Sequence, residues 1–242
     1  MDSKLITIGQ VSKMIGVSVQ TLRRWDKAGK LSPIREKKTG YRYYNKKDVE
    51  NYSVRNLFKL AKFWIADDSG FEPLHDFYCP DSSVFQARLS KMQNELGRVK
   101  KLNLIYPLIS AIAGEIGNNS FDHNLGNWPD IPGTIFTYNL NKKIVVLADR
   151  GQGILATLKK VDKSLVNHQD ALYVAFTKII SGRAPESRGN GLKFVKDVVM
   201  NNKIGLFFQT GNAYLETKKQ NSVFEIKKSN VSFRGCLALI KF

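Results

Sequence analysis

Cysteine is nearly absent from this chain. Cys79 and Cys236 are the only two in 242 residues. They lie too far apart in sequence for metal-ligand spacing and are too few for a disulfide framework, so two reduced thiols are expected. Long apolar runs are also missing. The longest, Leu102–Ile116, is too short to cross a bilayer and contains Pro107 and Glu115. The first fifteen residues alternate polar and apolar, so no secretory leader is expected. There are no internal repeats, no low-complexity segments and no sustained heptad pattern that would build a long coiled coil. Together these absences lead to the expectation of a cytoplasmic protein with no membrane partner.

Acidic residues are in deficit. Asp and Glu number 21 against 38 Lys and Arg, a formal charge of +17. Such a balance favours polyanionic partners. The excess is densest near the start: residues 1–66 hold 15 basic against 5 acidic side chains, and the rest hold 23 against 16. Hydrophobic content of 43% is ordinary for a folded protein, and the length suits a small domain followed by a medium one.

Residues 5–28 read as two short helices around a tight turn. Ile8, Val11, Met14 and Ile15 recur at helical spacing, Gly16 breaks the pattern, and Ser18 is a good N-cap for a helix over Val19–Ala28 that Gly29 stops. That second helix is expected to turn Leu22 and Trp25 inward and Gln20, Thr21, Arg23 and Arg24 outward. Residues 31–44, with Pro33, Gly40 and the aromatic run Tyr41–Tyr44, read as a β-hairpin wing. A third helix is expected from Lys46 to about Ile65. A second helix that presents polar side chains suits the major groove, where Gln20, Thr21 and Arg23 would meet base edges. Arg24, Arg42 and Tyr43 are placed to hold phosphates. The ordered set Ile8-Gly9-Gln10-Val11-Ser12, Gly16-Val17-Ser18, Thr21-Leu22-Arg23-Arg24-Trp25, Gly29-Lys30-Leu31 and Gly40-Tyr41-Arg42-Tyr43-Tyr44 resembles a MerR-type winged helix-turn-helix. The resemblance implies binding of double-stranded DNA, usually as a homodimer.

Residues 67–85 are rich in Asp, Ser, Gly and Pro and read as a linker with interspersed aromatics. Beyond it, helices are expected over about 84–101 and from Pro107 to His123. Strands are expected at 133–139, 143–148, 205–209, 213–216, 223–227 and 236–242, and a helix at 191–200. The domain division read from this pattern is 1–66, a linker at 67–85, and 86–242.

Three short motifs carry the chemistry of the second part. In the first, Glu115 and Asn119 are four apart and share a helix face. Asn119 offers an amide oxygen that suits Mg²⁺, and Glu115 suits orientation or deprotonation of a nucleophile. The second, Asp149-Arg150-Gly151-Gln152-Gly153, follows a strand. It offers an acceptor for an exocyclic amine and two glycines that permit close approach of a ligand. The third, Gly189-Asn190-Gly191-Leu192, opens a helix, where backbone N–H groups suit phosphate. In this order the three resemble the N, G1 and G2 boxes of the GHKL superfamily. That resemblance implies a Bergerat α/β sandwich, with a mixed sheet covered by helices on one face, that binds ATP and Mg²⁺. It makes Glu115 the catalytic base and Asn119 the metal ligand. Asp149 becomes the adenine reader, and Gly151, Gly153, Gly189, Gly191 and Leu192 shape the pocket. Residues 155–188 become a flexible lid, with Arg183 and Arg188 reaching phosphate. Gly235-Cys236 stands where the superfamily often has Gly-Thr.

Three functions fit this reading. The first is a DNA-binding regulator coupled to ATP binding or slow hydrolysis. The second is a serine protein kinase of anti-sigma-factor type, with a protein partner encoded nearby. The third is a module that holds nucleotide without turnover. A histidine autokinase is disfavoured, because the helix before the first motif carries no His.

Overall fold

The computed structural model describes residues 5–15, 17–29, 31–36, 39–68, 70–73, 75–178, 191–217 and 224–242. The chain opens with β1 (Leu5–Thr7), α1 (Ile8–Ile15) and α2 (Val19–Lys27), followed by β2 (Ile34–Arg35), β3 (Arg42–Asn45) and the long α3 (Lys46–Ala66). Ser18 caps α2, its hydroxyl accepting from the Thr21 N–H at 3.1 Å. Leu22 and Trp25 turn inward as expected. They join Ile6, Val11, Val17, Tyr44, Val49 and Leu60 in a small core. The wing is a hairpin of β2 and β3, and β1, which the sequence pattern did not reveal, pairs antiparallel to the other side of β3.

The second part holds β4 (Tyr78–Cys79), α4 (Ser82–Gly97), α5 (Tyr106–Asn124), β5 (Thr134–Asn139), β6 (Ile144–Asp149), α6 (Gly153–Leu158), α7 (His168–Thr177), α8 (Gly191–Asn201), β7 (Gly205–Thr210), β8 (Ala213–Thr217), β9 (Ile226–Lys228) and β10 (Cys236–Lys241). Seven strands form one sheet in the order β4-β5-β6-β10-β7-β8-β9. Every pairing is antiparallel, so the expected mixed sheet is corrected to an antiparallel one. The last strand, β10, is inserted between β6 and β7 at the centre.

The expectation of helices on one face is also corrected. Helices α4 to α8 cover one face, where Phe136, Val145, Leu147, Ala238 and Ile240 point. The opposite face presents Ile135, Val146, Ala148, Leu237 and Leu239, and α3 lies against it through Leu57, Ala61, Trp64 and Ile65. That spacing is one helical stripe. Val49 and Leu60, on an adjacent stripe, enter the small core of the first part. One helix therefore serves two cores. Phe63 extends the join: its ring meets Trp25 edge-on at 6.4 Å and Phe71 of the linker at 6.0 Å.

Residues 155–178, read from sequence as part of a flexible lid, are instead built into the body. Leu158, Leu165, Leu172, Val174 and Phe176 are buried in its core. Residues 179–190 lie outside the described residues. No helix among the described residues is long and apolar enough to cross a membrane.

Trp64 is the largest side chain in the α3–sheet contact. It is fully buried, and its indole N–H donates to the Phe71 carbonyl at 2.7 Å. Trp64→Ala is expected to lower stability by about 3–5 kcal/mol, read as the shift in a urea unfolding midpoint at unchanged slope. A loss below about 1 kcal/mol would show that α3 is not structurally bound to the sheet.

Candidate functional site

A cleft with about 760 Å³ of empty volume, including its open mouth, lies between α5, α6, α8 and the ends of the central strands. Its floor is Asp149, the last residue of β6. Strand alternation turns Asp149 to the same side as Val145 and Leu147, beneath α5. The carboxylate is 2% exposed. Oδ2 accepts from the Ser120 hydroxyl at 2.8 Å and Oδ1 from the Gly151 N–H at 2.9 Å. Burial pushes the Asp149 carboxyl above its usual range, against hydrogen bonds from Ser120, Gly151 and Cys236 that pull it down.

The surrounding backbone is shaped to approach this group closely. Gly235 has φ +72°, and a Cβ there would lie 2.0 Å from the Asp149 carbonyl oxygen. Gly153 has φ +79° and packs on Thr210, where a Cβ would stand 3.0 Å from the hydroxyl. At Gly151 an added side chain would meet the Asn124 amide. Asn124 in turn accepts from the Gln152 N–H at 2.8 Å and donates to the Ser120 carbonyl at 2.7 Å. The first two motifs are thus stitched together by backbone-directed hydrogen bonds. Ile116, Ile154, Leu158 and Phe208 supply apolar walls.

Glu115 and Asn119 stand on α5, half-buried, at the start of α8. A Cβ on Gly191 would lie 2.5 Å from Glu115 Oε2 and 3.5 Å from Asn119 Nδ2. The structure therefore brings Glu115, Asn119, Asp149, Gly151, Gly153, Gly191 and Leu192 into one region, although they span 78 positions of sequence. Arg183, Arg188 and Gly189 lie outside the described residues.

Ser120, Asn124 and Thr210, to which the sequence motifs assign no role, also take part in the site. Their signal was available only in part: Ser120 and Asn124 follow Asn119 on the same helix, but only the fold shows them meeting Asp149 and Gln152. Thr210 lies opposite Cys236 in the β7–β10 register. Its hydroxyl accepts from the Ile154 N–H at 3.2 Å and donates to the Gly235 carbonyl at 2.9 Å. A threonine hydroxyl thus stands one strand away from Cys236, committed to holding the glycine turn. The Cys236 thiol lines the cleft and is pushed well up by burial and by Asp149. His123, also on the cleft, is held below its usual value by burial and by Lys160.

In the first part, Gln20, Arg23 and Arg24 are exposed on α2. Thr21 is not. It is 2% exposed, its hydroxyl 2.9 Å from that of Ser18, so the outward placement expected for it is corrected: it completes the helix cap. Tyr43 is half-buried on β3. Arg42, beside it, donates through Nε to Asp26 Oδ2 at 2.9 Å, and Arg35 donates to the same oxygen at 2.6 Å. Asp26, which the sequence reading left out, ties α2 to both strands of the wing.

Comparison with known proteins agrees with this geometry at the N-terminus. Residues 7–44 match the family described as MerR family regulatory protein. The chain is 43% identical over 54 residues to the type II methyltransferase M.Eco47II of Escherichia coli, covering 22% of this chain and 13% of that protein. It is 43% identical over 56 residues to the multidrug-efflux transporter 2 regulator of Bacillus subtilis (strain 168), covering 23% and 20%. The chain thus spans a fifth or less of the length of these curated relatives. A MerR-family helix-turn-helix stands at the N-terminus, and the seven-stranded body lies outside the family match.

Because the folded state raises the Asp149 pKa, the stability of this group is fully present below the unfolded value and is lost as pH rises through the folded one. Asp149→Asn removes that burden and can keep both bonds: the amide oxygen still accepts from the Gly151 N–H, and the Ser120 hydroxyl can rotate to accept from the amide N–H. The variant is expected to unfold at an equal or higher urea concentration than wild type at neutral pH. A clear drop would show that the ionised carboxylate is a structural requirement of the fold.

Proposed function

We propose that this chain is a DNA-binding regulator whose body takes up ATP with Mg²⁺ in the cleft above Asp149, in the manner of a Bergerat-type domain. The observation that carries the reading is the sequestered carboxylate at the cleft floor. Little in the packing requires an acid there, yet Ser120 and the Gly151 N–H hold it in one orientation. A buried acceptor facing a cleft with apolar walls suits a flat heterocycle bearing an exocyclic amine, as adenine does. Asn119 and Glu115 lie where the phosphates would emerge, beside the first turn of α8. Among the described residues no group of three or more His, Cys, Asp or Glu could hold a metal by itself. Mg²⁺ arrives with phosphates and needs only one or two protein oxygens. Asn119 would supply one, and Glu115 would orient a water or a partner's hydroxyl.

For the head, the MerR-family match and the local basic excess support double-stranded DNA as partner. Gln20 and Arg23 are the base-reading candidates. Arg24, Arg42 and Tyr43 hold phosphate. The half-buried Glu115 carboxylate also supports a second reading, phosphoryl transfer to a serine of a partner protein, in which the DNA-binding head is a targeting device.

ATP binding, measured by calorimetry with Mg²⁺ present, is expected to weaken at least about 10-fold in Asp149→Asn, the loss of roughly one charge-assisted hydrogen bond. Unchanged affinity would remove Asp149 from the site. Glu115→Ala and Asn119→Ala are expected to abolish phosphate release; equal release by wild type and both variants would end the catalytic assignment. In a duplex shift assay, Arg23→Ala with Arg42→Ala is expected to lose binding, with the residual affinity less steep in salt. Wild-type binding by that double variant would place the DNA contact elsewhere.

A further inference from the structure

The residue after Asp149 points the other way. Strand alternation sends Asp149 into the cleft and Arg150 through the opposite face of the sheet, towards α3. Arg150 is 2% exposed. Its Nη1 donates to the Trp64 carbonyl in the last turn of α3 at 2.5 Å, and its guanidinium lies 5.9 Å from the centre of the Trp64 ring. Nε and Nη2 both donate to Asp130 Oδ2, at 3.0 and 2.6 Å. Arg234 donates to that same oxygen at 2.6 Å, from the turn that leads through Gly235 to Cys236 on the cleft wall. Two strand ends that form the floor of the cleft, β6 and β10, thus each send an arginine to one carboxylate on the far face. One of those arginines also holds the carbonyl end of the helix shared with the DNA-binding head.

We propose that the Asp130–Arg150–Arg234 cluster is the physical link between cleft occupancy and DNA binding. The inference rests on the nucleotide reading above. A ligand that draws Asp149 towards it moves the Asp149–Arg150 peptide. Arg150 has no slack, because its hydrogen bonds and ring contact fix it to Trp64 and Asp130. The displacement is therefore carried to the end of α3. The other stripe of that helix, through Val49 and Leu60, is packed in the core that orients α2 and the wing. A buried arginine with a planar fork suits this role better than a lysine, since several bonds of fixed direction transmit a rotation as well as a shift. Asp130 is pushed up by its partial burial, but hydrogen bonds from Arg150 and the Ile131 N–H and the charges of Arg150 and Arg234 outweigh that and hold it below its usual range. The cluster stays charged at neutral pH. In this scheme Asp130, Arg150 and Arg234 are positioning residues and do not touch the ligand.

The test is a linkage measurement on the full chain. The dissociation constant of ATP–Mg²⁺ is measured with and without saturating duplex, using the duplex that wild type selects from a random-sequence pool. That of the duplex is measured with and without saturating ATP–Mg²⁺. For wild type the two ratios are expected to agree, as reciprocity demands, and to differ from one by at least about fivefold. In Arg150→Met and in Asp130→Asn the ratio is expected to fall to within about twofold of one, while each ligand alone binds within about threefold of wild type. Arg234→Met, whose side chain is half exposed, decides the matter if the buried variant does not fold. Variants that melt earlier yet keep the wild-type ratio would overturn the inference, since the cluster would then be structural alone. Wild type that binds both ligands with a ratio of one would also overturn it and leave the two binding sites standing. Wild type that binds duplex but no ATP would overturn the nucleotide reading, and the inference with it.

Discussion

The structure depends on α3 being buried twice. A helix on the surface of one domain needs a single apolar stripe. This one has two, and each is satisfied by a different body: Val49 and Leu60 by the helix-turn-helix, Leu57, Ala61, Trp64 and Ile65 by the sheet. Interfaces between domains in one chain are commonly polar and permissive of movement. Here the contact is apolar and includes a fully buried tryptophan, so the head cannot turn freely on the body. Whatever displaces the C-terminal half of α3 must act on both cores, because packed interiors resist gradual deformation.

That constraint explains the composition of the central strands. A sheet with one covered face alternates apolar and polar side chains, and β8 does so, with Ala213 and Leu215 buried and Glu216 exposed. Strands β6 and β10 are nearly continuous runs of apolar residues, Ile-Val-Val-Leu-Ala and Cys-Leu-Ala-Leu-Ile. They have to be, since α5 and its neighbours lie above them and α3 below. The polar residues that end the β6 run project to opposite faces of the sheet. Asp149 leaves the β6 run on one face and Arg150 on the other, within one peptide unit.

Much of this was legible in the sequence, and what was not has identifiable causes. The helix-turn-helix could be read because local signals agree there: the Ser18 cap, the Gly29 stop, and the inward Leu22 and Trp25. Glu115 and Asn119 could be paired from their spacing on one helix, and Asp149, Gly151 and Gly153 from their place at one strand end, because that is local information; joining the two motifs rested on the resemblance of their order to a superfamily. The role of Thr21 was misread because a threonine three residues after a capping serine fits either face until its burial is known. The second covered face of the sheet was missed, although the unbroken apolar runs of β6 and β10 signal it. The antiparallel pairing of β10 between β6 and β7 could not be read at all, because it joins strands that are remote in sequence. The same is true of Asp130, Arg150 and Arg234, whose meeting depends on three separate turns converging.

The basic excess of the head is tempered by one acid, and its position matters more than its effect on the total. Asp26 shares a single carboxylate oxygen between Arg35 and Arg42, and its side chain is 11% exposed against 55% and 24% for theirs. The pairing to the more exposed Arg35 contributes little to stability. Its effect is geometric: two long side chains on the wing are held against α2 and not left to sample rotamers. In the DNA-bound state proposed above, a phosphate at Arg42 would meet a guanidinium already restricted in direction, and the ordering cost would fall by a part of the roughly 0.5–1.5 kcal/mol that immobilising such a side chain takes. The same pairing withdraws some positive potential from solvent. The head therefore gives up a share of its long-range attraction for a fixed relation between α2 and the wing.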